Sequence, residues 1–482
     1  MPRCVHDGDT LIQPSAGQPV VQKFGGTSAA DPAAIRRLID IVRSAHVRDG
    51  RGPVVVVSAM SQVTNALLTV AEEAGGGRLE RALAQVDLLR QRHLKTASAL
   101  LGDSADDAPT SVSGPDDHVA LTAQIDALFE ELVAIVKTLA VRREESAHTL
   151  DLVAAMGELL SSRIVAAALV HAGLPGEWVD ARRVIVTDGN HARATPLMDE
   201  TTAALQATVC SIVDAGRIPV LGGFVGATVE GQTTTLGRGG SDYSAAIVGA
   251  GLGAAEIQIW TDVDGMLTAD PRVVPQSRLV PRLSFGEAAE LAYFGATVLH
   301  PSTIFPAMER DIPVRILNAR KPEGGGTLIT AARAQDGEPL TAMAAKSDLT
   351  VVDITSSRML MAYGFLRKVF EVFERFETAV DVVTTSEVSV SVTVDDRRHL
   401  EDIVEALSEF ADVSSEPGMA LLCAVGDRLS TEPGIGARVI RVLEEVPLRM
   451  ISQAASRRNI TVILREDDLP QAMHQLHEEF FA

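Results

Sequence analysis

A chain of 482 residues, 46% of them hydrophobic, can bury more than one core, so two or three domains are expected and a disordered chain is excluded. A formal net charge of -21 without a Lys- or Arg-rich block argues against nucleic acid and anionic membrane as partners, since both need a cationic surface. Cys4, Cys210 and Cys423 lie far apart without metal-ligand spacing, which favours free thiols in a reducing, cytoplasmic setting over disulfides or a zinc site.

Residues 1–19 read as a flexible leader, with two Asp and no continuous apolar core of secretory type. VVQKF and PVVVVS are β-branched runs on either side of an apolar-periodic stretch, residues 31–44, that reads as a helix. Residues 79–148 look helical, interrupted by the polar loop GDSADDAPTSVSGPDD. Strands resume at EWVD, RVIVTD, RIPVLGGFVG, EIQIWTDV and PVRIL, with helical stretches between most of them. Such alternation predicts an α/β domain over 20–330, a mainly parallel sheet covered by helices, with ligands at the carboxyl ends of the strands. The longest apolar run, residues 245–255, is well short of the roughly 18–20 residues that span a bilayer.

A polar linker is expected over 331–344, and beyond it the strands shorten. LTVVDITSS, a helix over 365–376, AVDVVTTSE, VSVSVTVDD, a helix over 398–410 and DVSSE make one unit. MALLCAVG, a helix over 434–446, RMISQAAS, NITVILRE and a helix over 470–480 repeat the order. Residues 345–482 therefore read as two ferredoxin-like βαββαβ modules, free to exchange elements, with one unrelated α+β domain as the alternative. Exposed edges of such sheets favour side-by-side pairing, so a homodimer or a dimer of dimers through the tail is expected.

The chemistry starts from TTTLGRGGSDYS, where one Arg stands among glycines with hydroxyls on both sides. Glycines let backbone amides converge on an anion, which suggests a phosphate site, although Gly and Ser suit a surface turn equally well. There is no G-x-x-x-x-G-K-[ST] and no strand-following G-x-G-x-x-G with a distal acid, so neither a P-loop nor a Rossmann site is supported. VVQKFGGTS instead places Lys23 at a strand end before Gly25 and Gly26, a second cationic glycine turn in the same domain.

With VVVSAMSQVTN, MGELLSSRI, WTDVDGMLTADPR and FGATVLHPSTIFPA, these stretches occur in the order and spacing of the aspartate kinase family, which the chain resembles from about Val20 onward. The resemblance implies the amino-acid-kinase fold, a three-layer αβα sandwich, followed by tandem ACT regulatory modules. It implies transfer of the γ-phosphoryl of ATP to the β-carboxylate of L-aspartate, with Mg²⁺ held mainly by the nucleotide phosphates. By the same resemblance Lys23 would stabilise the transferring group and Asp242 would hold that lysine. Gly25, Gly26, Gly239 and Gly240 would supply amides to the phosphates, and Thr261, Asp262 and Arg272 would contact ATP. Ser58, Thr64, Glu158, Arg193, Arg238 and Ser241 would bind aspartate, Arg193 at a carboxylate and Glu158 at the amino group. For Glu158 a place in a first helical turn, complementing the helix dipole, is the alternative. No residue is assigned to a metal.

The tail resembles the lysine-responsive class, in which Asp381 and Glu387 would meet a cationic effector and Met359, Phe365, Leu366 and Ser386 would line its pocket. Threonine is the rival effector, because Ala362 and Tyr363 depart from that class. Leu267, Thr297 and Gln62 stand where the family often has an aromatic, a Lys and a Gly. Another amino-acid kinase, or a catalytically silent sensor of the same fold, remains the alternative function.

Overall fold

The computed structural model describes residues 18–102, 115–295, 301–331, 339–356, 363–453 and 456–481. Two compact units emerge, Met1–Met266 with Leu299–Ala331, and Leu267–Val298 with Ala332–Ala482. The linear division at residue 330 differs from this grouping: Leu267–Val298 belongs to the second unit.

In the first unit the strands are β1 (Val20–Phe24), β2 (Val54–Val57), β3 (Gly176–Val179), β4 (Val186–Thr187), β5 (Ile218–Gly222), β6 (Val225–Thr228), β7 (Thr233–Thr235) and β8 (Glu256–Thr261). After β9 (Arg282–Ser284), which lies in the second unit, β10 (Val314–Asn318) and β11 (Thr327–Thr330) return to the first. Its main sheet runs β3-β5-β2-β1-β8-β10-β11, parallel throughout except for the β10–β11 pair. Every residue of β1, β2 and β5 is buried, which explains why β2 and β5 read as continuous apolar runs rather than alternating ones, and in β1 the burial extends to Gln22 and Lys23. Asp31 caps the first long helix, Pro32–Asp49, by accepting the Ala34 amide, and Gly50 closes it at φ +65°.

Two expected strands are shorter than read. RVIVTD contributes only Val186–Thr187, because Ala181–Arg183 forms a 3-10 turn, and RIPVLGGFVG is broken into β5 and β6 by Phe224 at φ +65°. One helix among the described residues, Ala147–His171, is long and apolar enough to cross a membrane by length and composition. Asp151, Glu158 and Arg163 interrupt its apolar run, which hid it from a count of consecutive residues, and 83% of its most apolar window is buried inside the structure.

The second unit is organised by an antiparallel sheet of β12 (Ala342–Thr355), β13 (Val383–Thr385), β14 (Ser389–Val394), β15 (Asp412–Val425), β16 (Leu448–Ser452) and β17 (Asn459–Arg465), in the order β13-β14-β12-β15-β17-β16. Helices Phe365–Arg375 and Leu400–Ser408 cover one end through Phe365, Val369, Phe373, Ile403 and Leu407. Helices Ile435–Val442 and Leu469–Phe481 cover the other through Ile435, Val439, Met473 and Phe480. The two modules share β12 and β15, each 14 residues long. DVSSE and MALLCAVG, expected as separate strands, join through Pro417 and Gly418 at φ +73°, and β12 begins at Ala342, inside the stretch read as linker. The breaker signals there mark irregular register, with shifts between Lys346 and Thr350, rather than an end of pairing.

Candidate active site

β1 lies between β2 and β8, with Lys23 opposite Val56 and Ile259, so the lysine leaves the sheet near its carboxyl end. Its Nζ lies 2.6 Å from Asp242 Oδ1, and both side chains are largely buried. Asp242 is delivered from the first turn of helix Gly240–Leu252, which directly follows Gly239 at φ +72°. A mostly dry pair of this kind is a fixed charge element that does not need to reorganise when an anion arrives.

Two of the four glycines expected to form an amide cradle have their amides engaged within the protein. The Gly25 amide donates to Trp260 O at 3.1 Å and the Gly240 amide to Gly237 O at 2.9 Å, so neither of these two points to a ligand. Close approach requires glycine at position 240, where a Cβ would overlap the Phe224 ring at 2.5 Å, whereas a Cβ on Gly25 would make only ordinary contact, 3.5 Å from Lys23 Nζ. Gly26 opens the 3-10 turn Gly26–Ala29, with space for a Cβ limited by Ala59 O at 3.1 Å.

Glu158 sits in the middle of helix Ala147–His171, which removes the first-turn alternative. The residue is 3% exposed; the Ala59 amide donates to its carboxyl group, and Oε2 has no hydrogen-bond partner. Burial pushes this carboxyl up to about 8, against the opposing pull of the Ala59 amide and of Lys23. The end of β5 gathers these parts: a Cβ on Gly222 would meet Glu158 Cβ at 3.1 Å, and one on Gly223 would meet Ser241 Cα at 2.9 Å. Ser58, half-buried, directly follows β2 with its amide on Phe24 O at 3.0 Å, and Thr64 lies in the first turn of helix Val63–Gly75. Gln62, preceding that helix, holds φ +66°, a conformation that glycine adopts without strain. Arg193 and Arg238 are both exposed, with no ion pair or side-chain hydrogen bond among the described residues, and Arg193 Cγ lies 3.6 Å from the Cβ position of Gly237.

Thr261 ends β8, half-buried, and its hydroxyl reaches the exposed Asp262 at 3.3 Å. Beside them Asp264 binds Lys321 at 2.8 Å and accepts from Asn318, a paired group to which the sequence motifs gave no weight. Arg272 belongs to the second unit, where its guanidinium forks onto Asp270 at 3.0 and 2.6 Å. Thr297 and Met359 lie outside the described residues. Among the described residues no group of three His, Cys, Asp or Glu could hold a metal ion. Asp151, absent from every motif, is 1% exposed on the helix that carries Glu158. A lone Asp in a helical stretch carries no local signal of its distant partners.

In the second unit Phe365 is a core residue, edge-to-face with Phe410 at 5.8 Å, whereas Leu366 is exposed. Asp381 is held by Lys346 at 2.9 Å, and Lys346 also binds Asp395 at 2.6 Å. Desolvation raises the Asp381 carboxyl despite this partner. Ser386 bonds Ser389 at 2.7 Å, and the exposed Glu387 has no partner among the described residues.

The amino acid kinase family profile matches residues 18–318, and an ACT domain profile matches 422–480. Aspartokinase 1, chloroplastic, from Arabidopsis thaliana is 36% identical over 476 residues, covering 96% of this chain and 80% of that protein. Lysine-sensitive aspartokinase 3 from Escherichia coli (strain K12) is 34% identical over 472 residues, covering 96% and 99%. Among solved structures, E. coli aspartokinase III in complex with lysine and aspartate aligns with a TM-score of 0.80 at 33% identity, over 96% of this chain and 100% of that one. The same enzyme with aspartate and ADP aligns at 0.79, with the same identity and coverage. From its sheet order, its Lys23–Asp242 pair and its near full-length relatives, the chain belongs to the amino acid kinase family and, within it, to the aspartokinases.

Proposed function

We propose that this aspartate kinase moves the γ-phosphoryl of ATP onto the β-carboxylate of L-aspartate with Lys23 as the charge that stabilises the migrating group. The observation carrying this reading is the largely buried Lys23–Asp242 pair at 2.6 Å, with the Glu158 carboxyl, one oxygen of which is unpartnered, in electrostatic reach of the lysine. Asp242 holds the ammonium in place while negative charge spreads over the equatorial oxygens. The acceptor carboxylate is already ionised at neutral pH, so the step needs no general base. Glu158 receives the substrate ammonium and Arg193 a carboxylate, with Arg238, Ser58, Thr64 and Ser241 around them. Thr261 and Asp262 serve the nucleotide, and magnesium is carried by its phosphates. A coupled ADP-release assay tests the reading. Turnover should require L-aspartate, and Lys23→Ala should lower kcat by about a hundredfold or more with a smaller change in KM for aspartate. An unchanged kcat in that variant sinks the role of Lys23.

Regulation follows from the tail. The E. coli relative is lysine-sensitive by name, and its structure holds lysine. Here Asp381 is already neutralised by Lys346, so Glu387 is the carboxylate left for a cationic effector, and lysine is the proposed ligand. The exposed edge strand β13, with Leu366 and Phe370 exposed on a helix of the same unit, supports pairing of two copies through this module.

A further inference from the structure

We propose that Asp151 is a positioning residue for the acceptor site, one buried carboxylate that fixes the loop carrying Arg193 to the strand leading into Arg238. The inference rests on the reading that Arg193 receives a substrate carboxylate. Asp151 precedes Glu158 by seven residues on one helix, two turns along the same face. Its two oxygens accept the Ala192 amide at 3.0 and 3.1 Å, the His191 ring Nδ1 contacts Oδ2 at 2.8 Å, and the Thr235 hydroxyl donates to Oδ1.

Those partners come from two separate segments. His191 and Ala192 immediately precede Arg193. Ala192 is held at φ +67°, a left-handed conformation that costs an L-residue about 1 kcal/mol and persists only where its surroundings enforce it. Asp188 closes the same loop by accepting the Asn190 and Thr195 amides. Thr235 ends β7, three residues before Arg238, and its carbonyl accepts the Ala194 amide at 2.9 Å. At Gly237, φ +77°, a Cβ would lie 3.2 Å from Ala192 O and 3.6 Å from Arg193 Cγ, so the two segments lie against each other beyond the pin. The guanidiniums themselves have no protein partner among the described residues, so within the protein it is the backbone beneath them that sets where each side chain starts. Asp151 supplies that constraint from a distance of 40 to 84 residues in sequence.

The test is a double-mutant cycle on the full-length enzyme, reading KM for aspartate, KM for ATP and kcat in wild type, Asp151→Asn, Arg193→Ala and the double variant. Asp151→Asn should raise KM for aspartate about tenfold and leave KM for ATP within about twofold, and in the Arg193→Ala background its effect should shrink to less than about twofold. The same factor in both backgrounds would mean that Asp151 acts independently of Arg193, and would overturn the proposal. Arg193→Ala with a normal KM would overturn the reading beneath it, a distinguishable failure. Thr235→Val, nearly isosteric, removes one anchor without opening a cavity. It should show the same non-additivity on a smaller scale should Asp151→Asn not fold, and an additive effect there would likewise refute the idea.

Discussion

Replacing Glu158 by Gln should abolish a proton release that accompanies aspartate binding. With the carboxyl pushed up to about 8 in the unliganded enzyme, its protonated form outnumbers the ionised one by about ten to one at pH 7. An arriving ammonium pairs with the ionised form, so binding at pH 7 should expel about 0.9 proton per site, and the apparent Kd should tighten about fivefold between pH 7 and pH 8. Isothermal titration at pH 7 in two buffers of different ionisation enthalpy measures the proton count. The Gln variant should bind aspartate more weakly, release none and show no such pH dependence. The linked stability effect has a definite sign: a carboxyl raised from 4.5 to about 8 contributes stability that is fully present below 4.5 and lost as pH rises through about 8. The full difference is roughly 4 to 5 kcal/mol, and aspartate should offset part of it, so its stabilisation of Tm should grow from pH 6 to pH 8. Wild-type binding without proton release, or a Gln variant with unchanged affinity, would refute the assignment of Glu158 to the ammonium.

Gly223→Ala should disturb catalysis without touching a ligand, because the new methyl would press on Ser241 backbone at 2.9 Å; a fall in kcat/KM of about tenfold or more is expected from steady-state kinetics. Glu387→Ala should keep activity high in millimolar lysine, and wild-type enzyme that ignores lysine but responds to threonine would change the effector while keeping the pocket. Sedimentation velocity at micromolar concentration should show a dimer or a dimer of dimers; an active monomer would contradict pairing through β13.

The kinase half was legible where residues close in sequence share one task. VVQKFGG and GRGGSD put Lys23 and Asp242 at strand and helix ends, where a charge pair can form across the sheet. Gly25 was legible as special, but whether its amide points to a ligand or to Trp260 O depends on a strand 235 residues away. Asp151 was invisible for the same reason, since its partners Ala192 and Thr235 meet it only in the fold. In the tail, module order could be read from alternating strands and helices. The joining of its strands could not, because Pro417 and Gly418 signal a break to any reading by local preference.

The shared strands β12 and β15 give the two ferredoxin-like modules a common axle. Fourteen residues at about 3.3 Å each make a rod of roughly 45 Å, and twelve registered partners tie the two rods together. Neither module can twist alone without shearing that ladder, so an effector that tightens one end loads the other as well. The ladder has slack between Lys346 and Thr350, where its register slips, and Lys346 is the residue that clamps Asp381 and Asp395. The triad therefore sits where the shared ladder is least regular, at the place where the two long strands are tied together most loosely.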